Sequence, residues 1–399
     1  MNIIVNAVQL KKCLEPCNAL VGKLDKGFDL KYTNIQLIIK NNNLDLYASD
    51  TNINIHTCYG LVADATQDID ISVPADSFHI IFSDVTDTAD TVILGFEEKV
   101  LRVLYKKQKY SLSYFYAATA IKEKVSVFDE PDAFKLYNNS LYEQVITEQY
   151  VPLLKMPYSQ LKQIFANLIP CMSKSPAESH IYGIYYDGNF YASNGYSFTG
   201  CYEVNNAFEG GEITHLFFQN QVVQFALKLA TDEECSIGLK GKIISLSLGT
   251  VELLFTSNQV NYVPVSVLKS FIAKNNQMYI VDTKVLTPLI KKFISFSDFI
   301  NKCYGELTFT TDNKLHISAV DTNKKSGFLE YETTAEMPTL EKATEIGITL
   351  DTVFAALQQI DSDTTTIHYN SKTTLPLVFI NEAKTQYYYI SPTKVKEKA

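Results

Sequence analysis

Leu46-Tyr47-Ala48-Ser49-Asp50-Thr51-Asn52 decides how the chain is organised, because the phrase returns twice. It recurs as Phe190-Tyr191-Ala192-Ser193-Asn194-Gly195 and again as Ile317-Ser318-Ala319-Val320-Asp321-Thr322-Asn323. Each copy follows a short polar turn (41–43, 187–189 and 312–313) and precedes another alternating stretch. Period-two alternation broken by Asn, Asp and Gly predicts a strand, a tight corner and a second strand. The copies lie about 144 and then about 127 residues apart, a spacing that marks domain-sized repeats rather than short solenoid units.

The surroundings repeat as well. Upstream of each phrase, apolar residues at i, i+3 and i+4 predict a helix over Ala7–Val21, Pro157–Met172 and Thr283–Ile294. Downstream, shorter helices are predicted over Ala75–Val85, Gln219–Ala230 and Leu350–Ile360. Aromatic-rich strands, Tyr110–Phe115, Leu253–Ser257 and Tyr387–Ile390, close each unit. The predicted class is α+β, with two helices on one side of each unit and β-sheets on the other. The predicted divisions are a first domain over 1–125, a charged, poorly periodic connector over 126–150, a second domain over 151–270 and a third over 271–399. A further short connector is predicted near 265–277.

Composition narrows the function classes. Of 399 residues, 46% are apolar and 20% charged, with 25 Tyr, 23 Phe and no Trp. Such a balance excludes disordered, collagen-like and coiled-coil chains. No apolar run approaches the ~18 residues of a membrane span, and Met1–Asn6 lacks a basic region followed by an apolar core, so a cytoplasmic location is expected. The seven cysteines include no CxxC pair and are expected to be reduced thiols. Histidines occur singly at 56, 79, 180, 215, 316 and 368, so neither a dedicated metal site nor a cofactor is expected. With no P-loop, GxGxxG or GxSxG, and with Glu97-Glu98 and Glu233-Glu234 in turn-like surroundings, no catalytic constellation emerges and the chain is not expected to be an enzyme.

Charge is distributed unevenly. Thirty-four of the 35 basic residues are lysines, Arg102 being the exception, and the chain carries a net −9. Together with abundant Asn, Ile and Tyr, this usage points to AT-rich coding, as in a low-GC bacterium or its phage. The leading helices with their flanks (7–26, 157–174 and 283–302) nevertheless carry +2, +2 and +3, leaving −16 for the rest. The second helices are less basic. A side on which the leading helices gathered would be positive enough to track a phosphate backbone without reading bases. The plainer explanation, for any one helix, is a solvated lysine face.

Several short stretches, in order and over nearly the whole chain, resemble the bacterial beta sliding clamp, the processivity subunit of the replicative DNA polymerase. Leu44–Asp50 is similar to the family's strand-turn and Val73-Pro74-Ala75 to the opening of its second helix. Tyr110-Ser111-Leu112-Ser113 is similar to its closing strand, Ala192–Phe198 to its Ala-Thr-Asp-Gly-His-Arg-Leu, and Tyr389–Val395 to its terminal segment. The resemblance implies three DNA-clamp domains per chain and a ring-shaped head-to-tail homodimer with duplex DNA threaded through it, independent of sequence. It also implies partnership with a replicative polymerase and a clamp loader, and none with a membrane.

The leading-helix lysines then become DNA-contact candidates: Lys11, Lys12, Lys23, Lys174, Lys291 and Lys292. The resemblance places Tyr110 and Leu112 at one dimer edge and Phe293 and Phe296 at the other. It also implies a cleft for a short apolar-ended partner peptide, formed by Ile181, Ser193, Gly195, Tyr196, Ser197, Phe198, Pro264, Val265, Tyr389, Ile390, Ser391, Pro392 and Thr393. The family's cleft arginines fall here on Ser197 and Pro264 and its terminal methionines on Ser391 and Thr393, so a more apolar peptide preference is expected. The basic residues that open the family's second helices fall on Asp76-Ser77 and Asn220-Gln221, which shifts weight to Lys23 and Lys174. The rival expectation is a phage structural or assembly protein built from α+β repeats.

Overall fold

Among the described residues the same order of elements recurs three times: strand, helix, four strands, helix, three strands. The computed structural model describes residues 2–21, 33–40, 42–50, 53–61, 68–116, 151–195, 197–204, 215–229, 234–240, 243–257, 265–296, 303–320, 326–332, 343–371 and 374–393. The predicted connector over 126–150 lies outside them.

The first repeat comprises β1 (Asn2–Asn6), α1 (Ala7–Val21), β2 (Asn34–Lys40), β3 (Asn43–Ser49), β4 (Ile53–Gly60), β5 (Ile69–Pro74), α2 (Ala75–Ile80), β6 (Thr91–Glu97), β7 (Val100–Tyr105) and β8 (Gln108–Ser113), followed by a two-residue strand β9 (Phe115–Tyr116). The second comprises β10 (Val151–Pro157), α3 (Tyr158–Leu168), β11 (Gly183–Tyr186), β12 (Asn189–Ser193), β13 (Phe198–Glu203), β14 (Leu216–Gln219), α4 (Asn220–Lys228), β15 (Glu234–Lys240), β16 (Ile243–Leu248) and β17 (Val251–Thr256). A separate helix, α5 (Val265–Lys274), comes next. The third repeat is β18 (Gln277–Asp282), α6 (Thr283–Phe296), β19 (Tyr304–Phe309), β20 (Lys314–Val320), β21 (Ser326–Glu332), β22 (Thr344–Thr349), α7 (Leu350–Gln359), β23 (Thr364–Tyr369), β24 (Leu377–Asn381) and β25 (Gln386–Ile390).

Turn chemistry explains why the recurring phrase is legible. The residue leading into it has a positive φ in all three repeats: Asn42 at 61°, Gly188 at 103° and Asn313 at 62°. Only Gly, and Asn at small cost, adopt that conformation readily. The last hairpin of each repeat turns likewise on Lys106 (53°), Gly249 (59°) and Lys384 (55°).

Among the described residues the strands form four antiparallel sheets. In the first compact unit, β1-β6-β7-β8 stand alone, while β10-β15-β16-β17-β4-β3-β2-β5-β9 form one nine-stranded sheet. In the second, β14-β11-β12-β13-β25-β24-β23-β18 form an eight-stranded sheet and β21-β20-β19-β22 a four-stranded one. The large sheets arise because the last strand of a repeat pairs with the fourth strand of the repeat before it. β17 joins β4 with Leu253 opposite Ile55, and β25 joins β13 with Tyr388 opposite Gly200. By that rule β8 and β21 remain, among the described residues, as unpaired edges within the chain.

Helix α1 shows how the layers hold. Leu10, Cys13, Leu14, Cys17, Leu20 and Val21 are buried, against β3, β4 and α2, while Gln9, Lys12 and Glu15 face solvent. Each fully buried leucine of such a face contributes roughly 1.5–3 kcal/mol, and Leu14→Ala would cost about 2–5 kcal/mol.

Several expected boundaries differ. α2 ends at Ile80 rather than Val85, its register tightening into i+3 turns (Phe82 N to His79 O, Ser83 N to Ile80 O). α3 ends at Leu168 and continues as one 3₁₀ turn, Ile169–Cys171, because Pro170 has no N–H to donate. The segment expected as a connector near 265–277 contains α5, whose Leu268, Phe271 and Ile272 pack on Tyr185, Tyr191, Phe217, Val378 and Tyr389. Each leading helix is also preceded by a strand, which the helical periodicity does not disclose. Among the described residues no helix is long and apolar enough to cross a membrane.

Candidate functional site

The expected peptide cleft centres on the joint between β13 and β25. The corner before β13 is built by Asn194, whose Oδ1 accepts the backbone N–H of Ser197 at 2.9 Å and of Phe198 at 3.0 Å. Ser193 Oγ accepts the Gly195 N–H at 3.0 Å and pairs with Thr199 Oγ1 at 2.8 Å. Gly195 has φ +83°, so the position favours glycine for its conformation, and a Cβ there would press on Ile181 Cδ1 at 3.0 Å. Across the joint Phe198 pairs with Ile390 and Thr199 with Tyr389. The chain beyond β25 is held by two backbone bonds, Ser391 N to Ser197 O at 3.0 Å and Thr393 N to Gly347 O at 2.8 Å.

Ile181, Ser193, Gly195, Ser197, Phe198, Tyr389, Ile390, Ser391, Pro392 and Thr393 thus belong to one neighbourhood of the second compact unit. Its apolar members are buried: Ile181 is 8% exposed, Phe198 4% and Ile390 1%. Gly195 is exposed, and Ser197, Ser391, Pro392 and Thr393 are half-buried, so they form the accessible rim. Tyr196 and Pro264 lie outside the described residues; Val265 opens α5.

The expected DNA-contact lysines divide by environment. Lys12, Lys174, Lys291 and Lys292 are exposed. Lys11 is not: its Nζ donates to Ser83 O at 2.7 Å and Val85 O at 3.1 Å, tying α1 to the turns after α2. Lys23 lies outside the described residues.

Of the expected dimer residues, Tyr110 and Leu112 lie half-buried on edge strand β8. Phe293 is half-buried on α6, which packs against β21, and Phe296 ends that helix. In the third repeat β21 is an edge strand, and on it Phe328 is 63% exposed beside Glu330 and Glu332. An exposed aromatic in an alternating acidic strand was the sequence signal for that edge. The edges are complementary in charge: Lys106, Lys107 and Lys109 on or next to β8, Glu330 and Glu332 on β21.

No protein-family model matches the chain, and no curated protein matches it in sequence. Solved structures do match in fold. A DNA polymerase sliding clamp from Pseudomonas aeruginosa, crystallised with ligand, superposes with a TM-score of 0.79 at 14% identity, covering 99% of this chain and 100% of that one. Caulobacter crescentus pol III beta gives a TM-score of 0.78 at 14% identity, with the same coverage of both chains. The DnaN sliding clamp (DNA polymerase III subunit beta) of Bartonella birtlesii, bound to griselimycin, gives 0.75 at 15% identity, again over 99% and 100%. The chain has the fold of the bacterial beta sliding clamps from end to end.

Proposed function

We propose that the chain is a DNA sliding clamp: a non-enzymatic, cytoplasmic processivity factor that closes as a head-to-tail homodimer around duplex DNA. The full-length fold likeness is the observation that carries this reading. Strands β8 and β21, the two edges that the rule of the internal joints leaves without a partner, are opposite in charge and support it, because open edges invite pairing and a second copy supplies the complement of each. Three clamp domains, over 1–125, 151–270 and 271–399, would line up in each chain.

On the register of the two internal joints, Tyr110 of β8 would stand opposite Gly327 of a second copy, as Tyr388 stands opposite Gly200, and Lys107 would face Glu330. A topological ring needs little affinity per contact, which reconciles a net charge of −9 with a DNA partner. Exposed lysines on the leading helices would meet phosphates as mobile point charges. A clamp loader would open the ring, and the rim at Gly195, Ser197 and Ser391–Thr393 would receive a short apolar-ended peptide from the replicative polymerase and other partners.

The test is retention on DNA after loading. The protein should remain on nicked circular DNA and leave it once the circle is linearised. A virion or assembly component built from α+β repeats would not distinguish the two, and equal retention would reject the clamp reading.

A further inference from the structure

Strand β4 carries His56 and Cys58 two residues apart, so both point to one face, while Thr57 between them turns inward and donates to Cys13 O at 3.2 Å. Asp45 of β3 stands directly opposite Cys58 in the register. The carboxylate oxygen of Asp45, the imidazole nitrogen of His56 and the sulfur of Cys58 all lie within 4.8 Å of one another. Asp45 Oδ1 and His56 Nε2 are 2.8 Å apart. The site is half-buried: the side chains of His56 and Asp45 are 12% and 17% exposed.

A second carboxylate approaches the other nitrogen. Glu252 of β17, opposite His56 across the joint of the first two repeats, has Oε2 3.9 Å from His56 Nδ1, and its Oε1 accepts the Ser245 hydroxyl at 2.5 Å. The Tyr47 ring stacks on the imidazole at 4.6 Å between centroids, 11° from parallel, fixing its plane.

We propose that Asp45, His56 and Cys58 form a binding site for a divalent transition metal of the Zn²⁺ class. One sulfur, one nitrogen and one oxygen donor, with a fourth position left to water, is a donor set Zn²⁺ accepts in tetrahedral geometry. Donors around such an ion lie about 3–4 Å apart, given metal–ligand lengths of ~2.0–2.3 Å. Only small side-chain shifts separate the present positions from that arrangement. Nε2 would be the metal nitrogen: it now donates to Asp45 Oδ1 at 2.8 Å, and on binding the imidazole hydrogen would sit on Nδ1, towards Glu252 Oε2 3.9 Å away; a carboxylate behind a ligating histidine is the usual second partner that fixes its tautomer. Two carboxylates and a thiol around one imidazole also leave local negative charge that a dication neutralises. Binding converts Cys58–SH to a metal thiolate and releases that proton to solvent. The ion would connect β3 to β4, with Glu252 extending the link to β17, and so brace the seam between two repeats inside the first compact unit.

The test uses the full chain, reduced and stripped with chelator. One equivalent of Co²⁺ should produce thiolate-to-cobalt charge-transfer absorption and the intense visible bands of a tetrahedral site, both displaced by Zn²⁺. Cys58→Ser should abolish the charge-transfer band, and Glu252→Gln should weaken Zn²⁺ binding on the order of 10–100-fold. Of the seven cysteines only Cys58 is not buried, so alkylation followed by peptide mass mapping reads the site in the unmodified protein, whatever the variants do on folding. Zn²⁺ should protect Cys58 from the reagent. Absence of a cobalt–thiolate band in the wild type, a band that survives Cys58→Ser, or alkylation of Cys58 unaffected by Zn²⁺ would each overturn the proposal.

Discussion

Gly200 of β13 lies directly opposite Tyr388 of β25, and the side chain it lacks is the space into which three neighbours pack. A Cβ at 200 would stand 2.7 Å from Cys171 Sγ, 2.8 Å from Leu168 Cδ2 and 3.1 Å from Tyr388 Cε1. Gly200→Val should therefore overpack the joint and destabilise the protein by about 1–3 kcal/mol, read as a lower urea midpoint. An unchanged midpoint would mean the strands separate easily there.

The edge pairing can be tested by charge reversal. Lys107→Glu with Lys109→Glu should weaken the homodimer roughly tenfold or more in dissociation constant, as should Glu330→Lys with Glu332→Lys. Mixing the two double variants should restore association, because one interface of the mixed dimer is then the native pairing and the other the same pairing with its charges reversed, as followed by sedimentation. Failure of the mixture to associate better than either alone would place the dimer contact elsewhere.

Converting Lys12, Lys174, Lys291 and Lys292 to Glu should reduce the salt dependence of DNA binding, with a slope lower by about one for each phosphate no longer neutralised. Lys11→Glu should act differently. It removes the hydrogen bonds to Ser83 and Val85, so its principal effect should be on melting temperature.

Removing residues 391–399 deletes the two backbone bonds that hold the chain end to Ser197 and Gly347. Binding of a partner peptide, measured by fluorescence anisotropy, should be lost while the dimer persists. Undiminished peptide binding would move docking away from this rim.

His368 offers a pH test. Burial first, and the positive charge of Lys384 second, hold its imidazole below the ordinary histidine range. The unfolded chain then binds the proton more readily, so this stabilisation is complete above about pH 6.5 and is lost as pH falls towards the lower folded-state value. His368→Gln should narrow the difference in melting temperature between pH 7.5 and pH 5.5. An unchanged difference would show that His368 titrates alike in both states.

The parts of the fold that were legible are those where backbone geometry restricts residue choice. Asn42, Gly188 and Asn313 must turn with positive φ, and the phrases that follow them stand out for that reason. The apolar faces of α1, α3 and α6 gave their first residues to within one position. The strands β1, β10 and β18 were hidden because five to seven residues of alternation run straight into a helix without an intervening turn. α5 was hidden because ten residues of it bury only a narrow face, on partners distant in the sequence on both sides of it. The β21 edge and the His56–Cys58 pair depend on which strands become neighbours, and β4 meets β17 only across some two hundred residues of chain. Scanning histidines and cysteines separately overlooks a pair whose common face appears only once β4 is known to be a strand.

The recurrence of one joint, twice within a chain and once left over, has a kinetic consequence. The β17–β4 and β25–β13 seams are tethered, so if either parts, its strands meet again at the high local concentration set by the linking chain, on the order of millimolar. A β8–β21 seam between two copies, as proposed, would have no tether and would feel only the concentration of free protein until the second such seam had closed. Three chemically related seams would thus differ in lifetime for reasons of connectivity alone. In the proposed ring the place of opening would follow from how the repeats are divided between two copies, with no need for a weaker set of contacts there.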